Sequence, residues 1–122
     1  MQIPILKQGS FLIVSIQTVV SDRDLIALEQ ELAVQVGQYR SRGVVIDVTT
    51  LDVLDSFSTK TLRNIAYTVR LRGAETVIVG IQPEVAFAMV QLGIKLDDVK
   101  TALNLEDGLA LLNPYFKENN HE

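Results

Sequence analysis

Cysteine is absent from the 122 residues. Disulfides, thiol nucleophiles, iron–sulfur clusters and cysteine-based zinc sites are thereby excluded. Histidine occurs once, at the penultimate His121, which argues against a Ser-His-Asp triad or a multi-histidine metal centre. A basic excess is also missing. Eleven Lys+Arg stand against fifteen Asp+Glu, a net charge of -4, and non-specific nucleic-acid binding usually needs a net basic face. No apolar run approaches the roughly 20 residues that span a bilayer. The opening Met1-Gln2-Ile3-Pro4-Ile5-Leu6-Lys7 lacks the basic start and long apolar core of a signal peptide. A cytoplasmic chain without membrane or nucleic-acid partners is the expectation.

What is present suits one domain. The length leaves little room for two, and a chain of this size buries roughly 65% of its unfolded surface. Ile3–Lys7 and Phe11–Ile16 are short apolar runs broken by Gly9-Ser10, two strands and a turn. Ser21-Asp22-Arg23-Asp24 opens a helix, with Ser21 as N-cap and acids suited to the positive end of the helix dipole. Leu25, Leu28, Leu32, Val36 and Tyr39 form its apolar stripe, and Gly43 ends the segment after Arg40 and Arg42. Val44-Val45-Ile46-Asp47-Val48 is a β-branched run of the kind found in strands buried on both faces. A loop with apolar anchors Leu51, Val53 and Leu54 leads into a second helix, about Ser56 to Leu71, stopped by Gly73.

Thr76–Ile81 is another buried strand. Pro83-Glu84 starts a third helix, with Val85, Ala86, Met89 and Val90 facing inward and Gly93 at its end. Val99–Ala102 reads as an edge strand. Leu105, Leu109, Leu112 and Phe116 mark a last helix, and residues 117–122 a frayed polar tail. The order β-β-α-β-α-β-α-β-α predicts an α/β layer fold, a mixed sheet with a mostly parallel centre and helices packed on it. The domain spans residues 1–116.

The chain has no phosphate-cradling G-x-x-x-x-G-K-[ST], no dinucleotide G-x-G-x-x-G and no G-x-S-x-G nucleophile elbow. A hydrolase lacks its base and metal ligands. Asp47 ends a central strand as a receiver-domain phospho-acceptor does, but the first two strands end at Gln17-Thr18 without the carboxylates that Mg²⁺ requires. Two charged stretches stand out. Lys60, Arg63, Arg70 and Arg72 have no acid between them, and Asp97, Asp98, Glu106 and Asp107 form an acidic counterpart. Solvated faces and a docking surface both fit them.

The informative segment is Asp47 to Lys60, which runs from a strand end through a loop to a helix start and collects Thr49, Thr50, Ser56, Ser58 and Thr59. Loops held by rigid elements often carry function. Helix capping alone also accounts for Asp55 or Ser56.

Asp55-Ser56-Phe57 after a Val-Val-Ile-Asp strand resembles the phosphorylation loop of STAS domains, the anti-sigma-factor antagonist family. Ile3–Lys7, Gly43–Asp47, Gly80-Ile81-Gln82-Pro83 and Leu92-Gly93-Ile94 extend the resemblance to nearly the whole chain and narrow it to the single-domain scaffolds of bacterial stressosomes. The resemblance implies the STAS fold and a phospho-acceptor serine at Ser56. It further implies phosphorylation by a switch kinase of the RsbT type, which the unphosphorylated assembly holds and the phosphorylated one releases. RsbR-type sensors that share the domain, a resetting PP2C-type phosphatase and a homodimer within a larger mixed assembly complete the implied partners. Ser58 and Thr59 follow as second and third acceptor candidates. Asp52, Asp55, Phe57, Lys60 and Arg63 make up the expected partner-binding loop.

No catalytic residue, metal or cofactor is expected of such a protein. Phosphate on Ser56 is expected either to be repelled by Asp52 and Asp55 or to be captured by Lys60 or Arg63. Phe57 reads equally as an interface residue or as a staple to the core. The alternative function is a ligand-binding module for nucleotide or lipid at the strand ends.

Overall fold

The computed structural model describes residues 3–17, 20–96 and 99–119, the last six by backbone alone. Five strands, β1 (Ile5–Gln8), β2 (Phe11–Ser15), β3 (Gly43–Asp47), β4 (Glu75–Val79) and β5 (Lys100–Ala102), lie in sequence order across one sheet. β1 pairs antiparallel with β2, Ile5 opposite Val14 and Gln8 opposite Phe11. The other three pairings are parallel. Helices α1 (Asp22–Tyr39), α2 (Ser56–Leu71), α3 (Pro83–Leu92) and α4 (Leu105–Asn119) complete the alternation expected of an α/β chain.

The connections decide the layers. β2-α1-β3, β3-α2-β4 and β4-α3-β5 each step one strand in the same direction. Right-handed crossovers that all step the same way place their helices on one face of the sheet. The core divides accordingly. Leu12 and Val14 of β2, Val44 and Ile46 of β3 and Ile78 of β4 pack with Leu28 and Leu32 of α1, Leu62 and Ile65 of α2, and Val85 and Met89 of α3. The alternate residues Val45, Val77 and Val79 turn to the other face, against Leu112 and Leu109 of α4. This is the period-two alternation of a sheet covered on both sides. α4 lies close enough that a Cβ on Gly108 would come 2.6 Å from a Val79 methyl.

Local signals explain most boundaries. Ser21 accepts from the Asp24 N–H at 3.1 Å, and its own N–H donates to the Asp24 carboxylate at 3.3 Å, a reciprocal capping box at the start of α1. Gly93 ends α3 in the left-handed conformation that glycine adopts without strain.

Four expectations are corrected. α1 stops at Tyr39 because Arg40 itself takes the left-handed turn, φ 52°; Gly43 opens β3 instead, and Tyr39 is exposed. Ala86 is exposed and Val90 is 79% exposed, since the inward stripe of this short helix is Val85 and Met89 alone. The last helix runs through Asn119, three residues into the expected tail; residues 120–122, His121 among them, and the Phe116 side chain lie outside the described set. The basic stretch is not one free face. Arg63 donates to the Lys95 carbonyl at 2.7 Å, Arg70 lies 3.5 Å from Glu75, and Arg72 donates to the Ala33 carbonyl at 3.2 Å. Of its acidic counterpart, Asp97 and Asp98 lie outside the described residues, while Glu106 and Asp107 sit in the first turn of α4.

Candidate functional site

The β3–α2 loop is held along its length. At the end of β3, Asp47 Oδ1 accepts the Thr49 N–H at 2.9 Å and the Thr49 hydroxyl as well. This self-contained turn occupies the carboxylate. The Thr50 hydroxyl donates to the Ile16 carbonyl at 3.1 Å, tying the loop to the end of β2. On the other side the Gln82 amide donates to the Thr49 carbonyl at 2.6 Å. The backbone there comes so close that a Cβ on Gly80, φ +83°, would overlap the Thr49 side chain. Leu51 and Leu54 drop into the core. Burying two such side chains contributes about 1.5–3 kcal/mol each, which fixes the loop to the core at two points.

Between those anchors the chain is open. Asp52 is exposed and Val53 is 71% exposed. Asp55 is the N-cap of α2, its carboxylate accepting the Ser58 N–H at 2.7 Å. That backbone bond, seconded by the Ser58 hydroxyl, holds the Asp55 carboxyl below the usual carboxylate range. Ser56 is the first residue of α2 and is exposed. Its hydroxyl has no hydrogen-bond partner among the described residues.

The other candidates fall into different surroundings. Ser58 is half-buried against the cap. Thr59 is 1% exposed, and its hydroxyl is buried without a partner; burial removes Thr59 from the acceptor candidates. Phe57 is 40% exposed and is not among the buried core residues, so part of its ring is open to a partner. Lys60 is exposed one turn on. The Arg63 guanidinium is turned to the Lys95 carbonyl, so of the two cations expected to reach the loop only Lys60 stands clear of such a bond.

Two features were not foreseen. The first is the Gln82 brace. Gln82 is the N-cap of α3 but makes no side-chain cap bond, because its amide serves the neighbouring loop; no sequence signal separates these uses. The second is a cavity of about 190 Å³ between the starts of α1 and α2, where Leu25, Leu51, Leu54 and Leu62 form apolar walls beside Asp22 and Asp55. Its residues come from two distant segments, 16–25 and 51–62, and only the fold assembles them. Among the described residues no three His, Cys, Asp or Glu side chains are grouped to hold a metal.

Residues 2–108 match the STAS domain family. The chain belongs to that family. It is similar to RsbS of Moorella thermoacetica, solved with a serine-to-glutamate substitution, with 33% identity, a TM-score of 0.81, and coverage of 96% of this chain and 99% of that one. A chain of the stressosome, described as a signal integration and transduction hub, is 35% identical at a TM-score of 0.78, over 93% of this chain and 99% of its own. The RsbT co-antagonist protein RsbRA of Bacillus subtilis is 38% identical over 72 residues, 59% of this chain and 26% of that protein. The chain thus spans about a quarter of that curated relative's length and nearly all of the RsbS chain. The strand and helix order is that of the STAS fold, and the chain is RsbS-like in sequence and structure alike.

Proposed function

We propose that this chain is a regulatory scaffold of a stressosome-type signalling complex. It binds and sequesters a serine/threonine switch kinase of the RsbT type, and releases it when phosphorylated on Ser56. One observation carries the reading. An exposed hydroxyl without a hydrogen-bond partner stands at the start of α2, on a loop pinned from both sides by Thr50 and Gln82. A kinase cleft needs a presented hydroxyl and a backbone of fixed shape, and the phosphoryl-transfer chemistry, ATP and Mg²⁺ belong to the kinase. The protein therefore acts without a catalytic residue or cofactor of its own.

The switch follows from charge. Phosphate adds about -1.5 to -2. The α2 dipole favours an anion there by about 0.3–1 kcal/mol, while Asp52 and Asp55 oppose it. One such repulsion at roughly 6 Å and an effective dielectric near 20 is on the order of 3 kcal/mol before screening. Asp55 already holds the N–H group that a phosphate would seek, and the cation at hand is Lys60. Expulsion therefore outweighs capture, and phosphorylation disturbs the docking surface while the core stays intact.

The likeness to RsbS and to the co-antagonist RsbRA supports RsbR-type proteins as assembly partners, through a homodimer that enters a larger mixed complex. A PP2C-type phosphatase resets the serine, and the complex works in the cytoplasm. No helix among the described residues is long and apolar enough to cross a membrane. The nucleotide or lipid reading has no observation in its favour. The cavity beside the loop, about 190 Å³, is smaller than the roughly 300–1,000 Å³ of small-molecule sites.

The test is to mix the chain with an RsbT-type kinase, ATP and Mg²⁺, locate the phosphate by mass spectrometry, and follow the kinase by gel filtration. Phosphate on Ser56 with kinase released is the expected result. Phosphate elsewhere, or on Ser56 with the kinase still bound, would falsify the reading.

A further inference from the structure

The cavity between the starts of α1 and α2 is unaccounted for by a switch that needs only Ser56. Its walls are aliphatic, from Leu25, Leu51, Leu54 and Leu62, and it has Asp22, Asp55 and Ser58 for polar company, with no basic side chain among its lining residues. Two helix N-termini flank it. Each contributes about half a positive charge, against two full carboxylates, which leaves about one net negative charge at the site. An anion is therefore disfavoured. A purely apolar group would strip water from the carboxylates without replacing it.

The group that satisfies both walls and carboxylates has an aliphatic stem and a cationic head. At about 190 Å³ the space exceeds the roughly 150 Å³ that accommodates a benzene ring. A planar guanidinium fork suits a carboxylate better than a point charge does.

We infer that this cavity receives an arginine side chain of the partner kinase, as an anchor beside the phosphorylated loop. The inference rests on the scaffold reading above and adds the chemistry of recognition to it.

The test has two arms. In the first, the full chain, isotope-labelled, is titrated with n-butylguanidinium, with n-pentanol and with butanoate, and methyl signals of Leu25, Leu51 and Leu62 are followed. Shifts confined to the guanidinium are expected, weakened about fivefold in the Asp22→Asn/Asp55→Asn variant, where the residue 55 amide oxygen still caps α2. Equal shifts with pentanol or butanoate, or none with the guanidinium, overturn the proposal. In the second arm the same variant and the unaltered chain are bound to an RsbT-type kinase, and about tenfold weaker binding by the variant is expected. Unchanged binding overturns the arginine anchor and leaves the scaffold reading standing. If the unaltered chain fails to bind the kinase, the scaffold reading fails, and the titration still judges the cavity's preference for a cation.

Discussion

Two adjacent residues divide the work at the mouth of α2. Asp55 fastens the helix and Ser56 faces outward, so their substitutions should separate. Ser56→Ala should abolish kinase-dependent phosphorylation and leave folding untouched, because an exposed hydroxyl without a partner contributes little. Ser58→Ala should retain phosphorylation at Ser56; mass spectrometry of both variants distinguishes the acceptors, and label lost from the Ser58 variant alone would move the switch to that residue. Asp55→Ala should lower stability by about 1 kcal/mol in urea unfolding, with Asp55→Asn close to the unaltered chain, since both Asn and Asp cap well. The pH dependence has a definite sign. The Asp55 carboxyl titrates lower in the folded chain than in the unfolded one. Its contribution is therefore fully present above the unfolded value near 3.9 and is lost as pH falls through the lower folded value. The gap between the unaltered chain and Asp55→Ala should narrow on acidification below that range.

At the scale of elements, packing makes the strongest demands on α2 and α4. Leu62 is buried against α1 and the sheet, and Leu62→Ala should cost about 2–5 kcal/mol. Gly108→Ala should cost about 1–3 kcal/mol, because its new methyl meets Val79; urea midpoints of the two variants measure both effects. The elements were legible because their signals are local. Ser21 and its following acids mark a helix start, Val44–Ile46 a buried strand, and Pro83 and Gly93 bracket α3. Arg40 was not legible as a helix end, since nothing in an arginine favours a left-handed turn; the backbone bond from the Ser41 N–H to the Val36 carbonyl, 3.1 Å, closes that turn. Val90 misled because an apolar residue one step from a buried one reads as core, and only the helix's rotation against the sheet decides between them. The site was half legible. Asp55 and Ser56 declare themselves by residue type, whereas the Gln82 brace and the Asp22 side of the cavity depend on contacts across more than thirty residues of sequence.

For the molecule as a whole, the arrangement keeps the proposed switch surface apart from the core. The three helices on one face and α4 on the other enclose the core independently of the loop's outer turn, where Asp52, Val53 and Ser56 are exposed. The loop's own anchors, Leu51 and Leu54, lie on the inner side. A change of charge at Ser56 therefore alters what a partner meets and spares the fold. Ser56→Glu tests this. A glutamate at the first helical position gains slightly from the dipole and loses slightly to Asp52 and Asp55, a net effect within about 0.5 kcal/mol for a surface substitution. At about 4 °C per kcal/mol for a domain of this size, the melting temperature should move by no more than about 2 °C. The affinity for an RsbT-type kinase should nevertheless fall about tenfold, part of the effect of phosphate because glutamate carries less charge. Calorimetric melting and kinase titration on the same preparation decide the matter. A large drop in melting temperature with the loss of affinity would mean that the switch works by loosening the domain rather than by changing its surface.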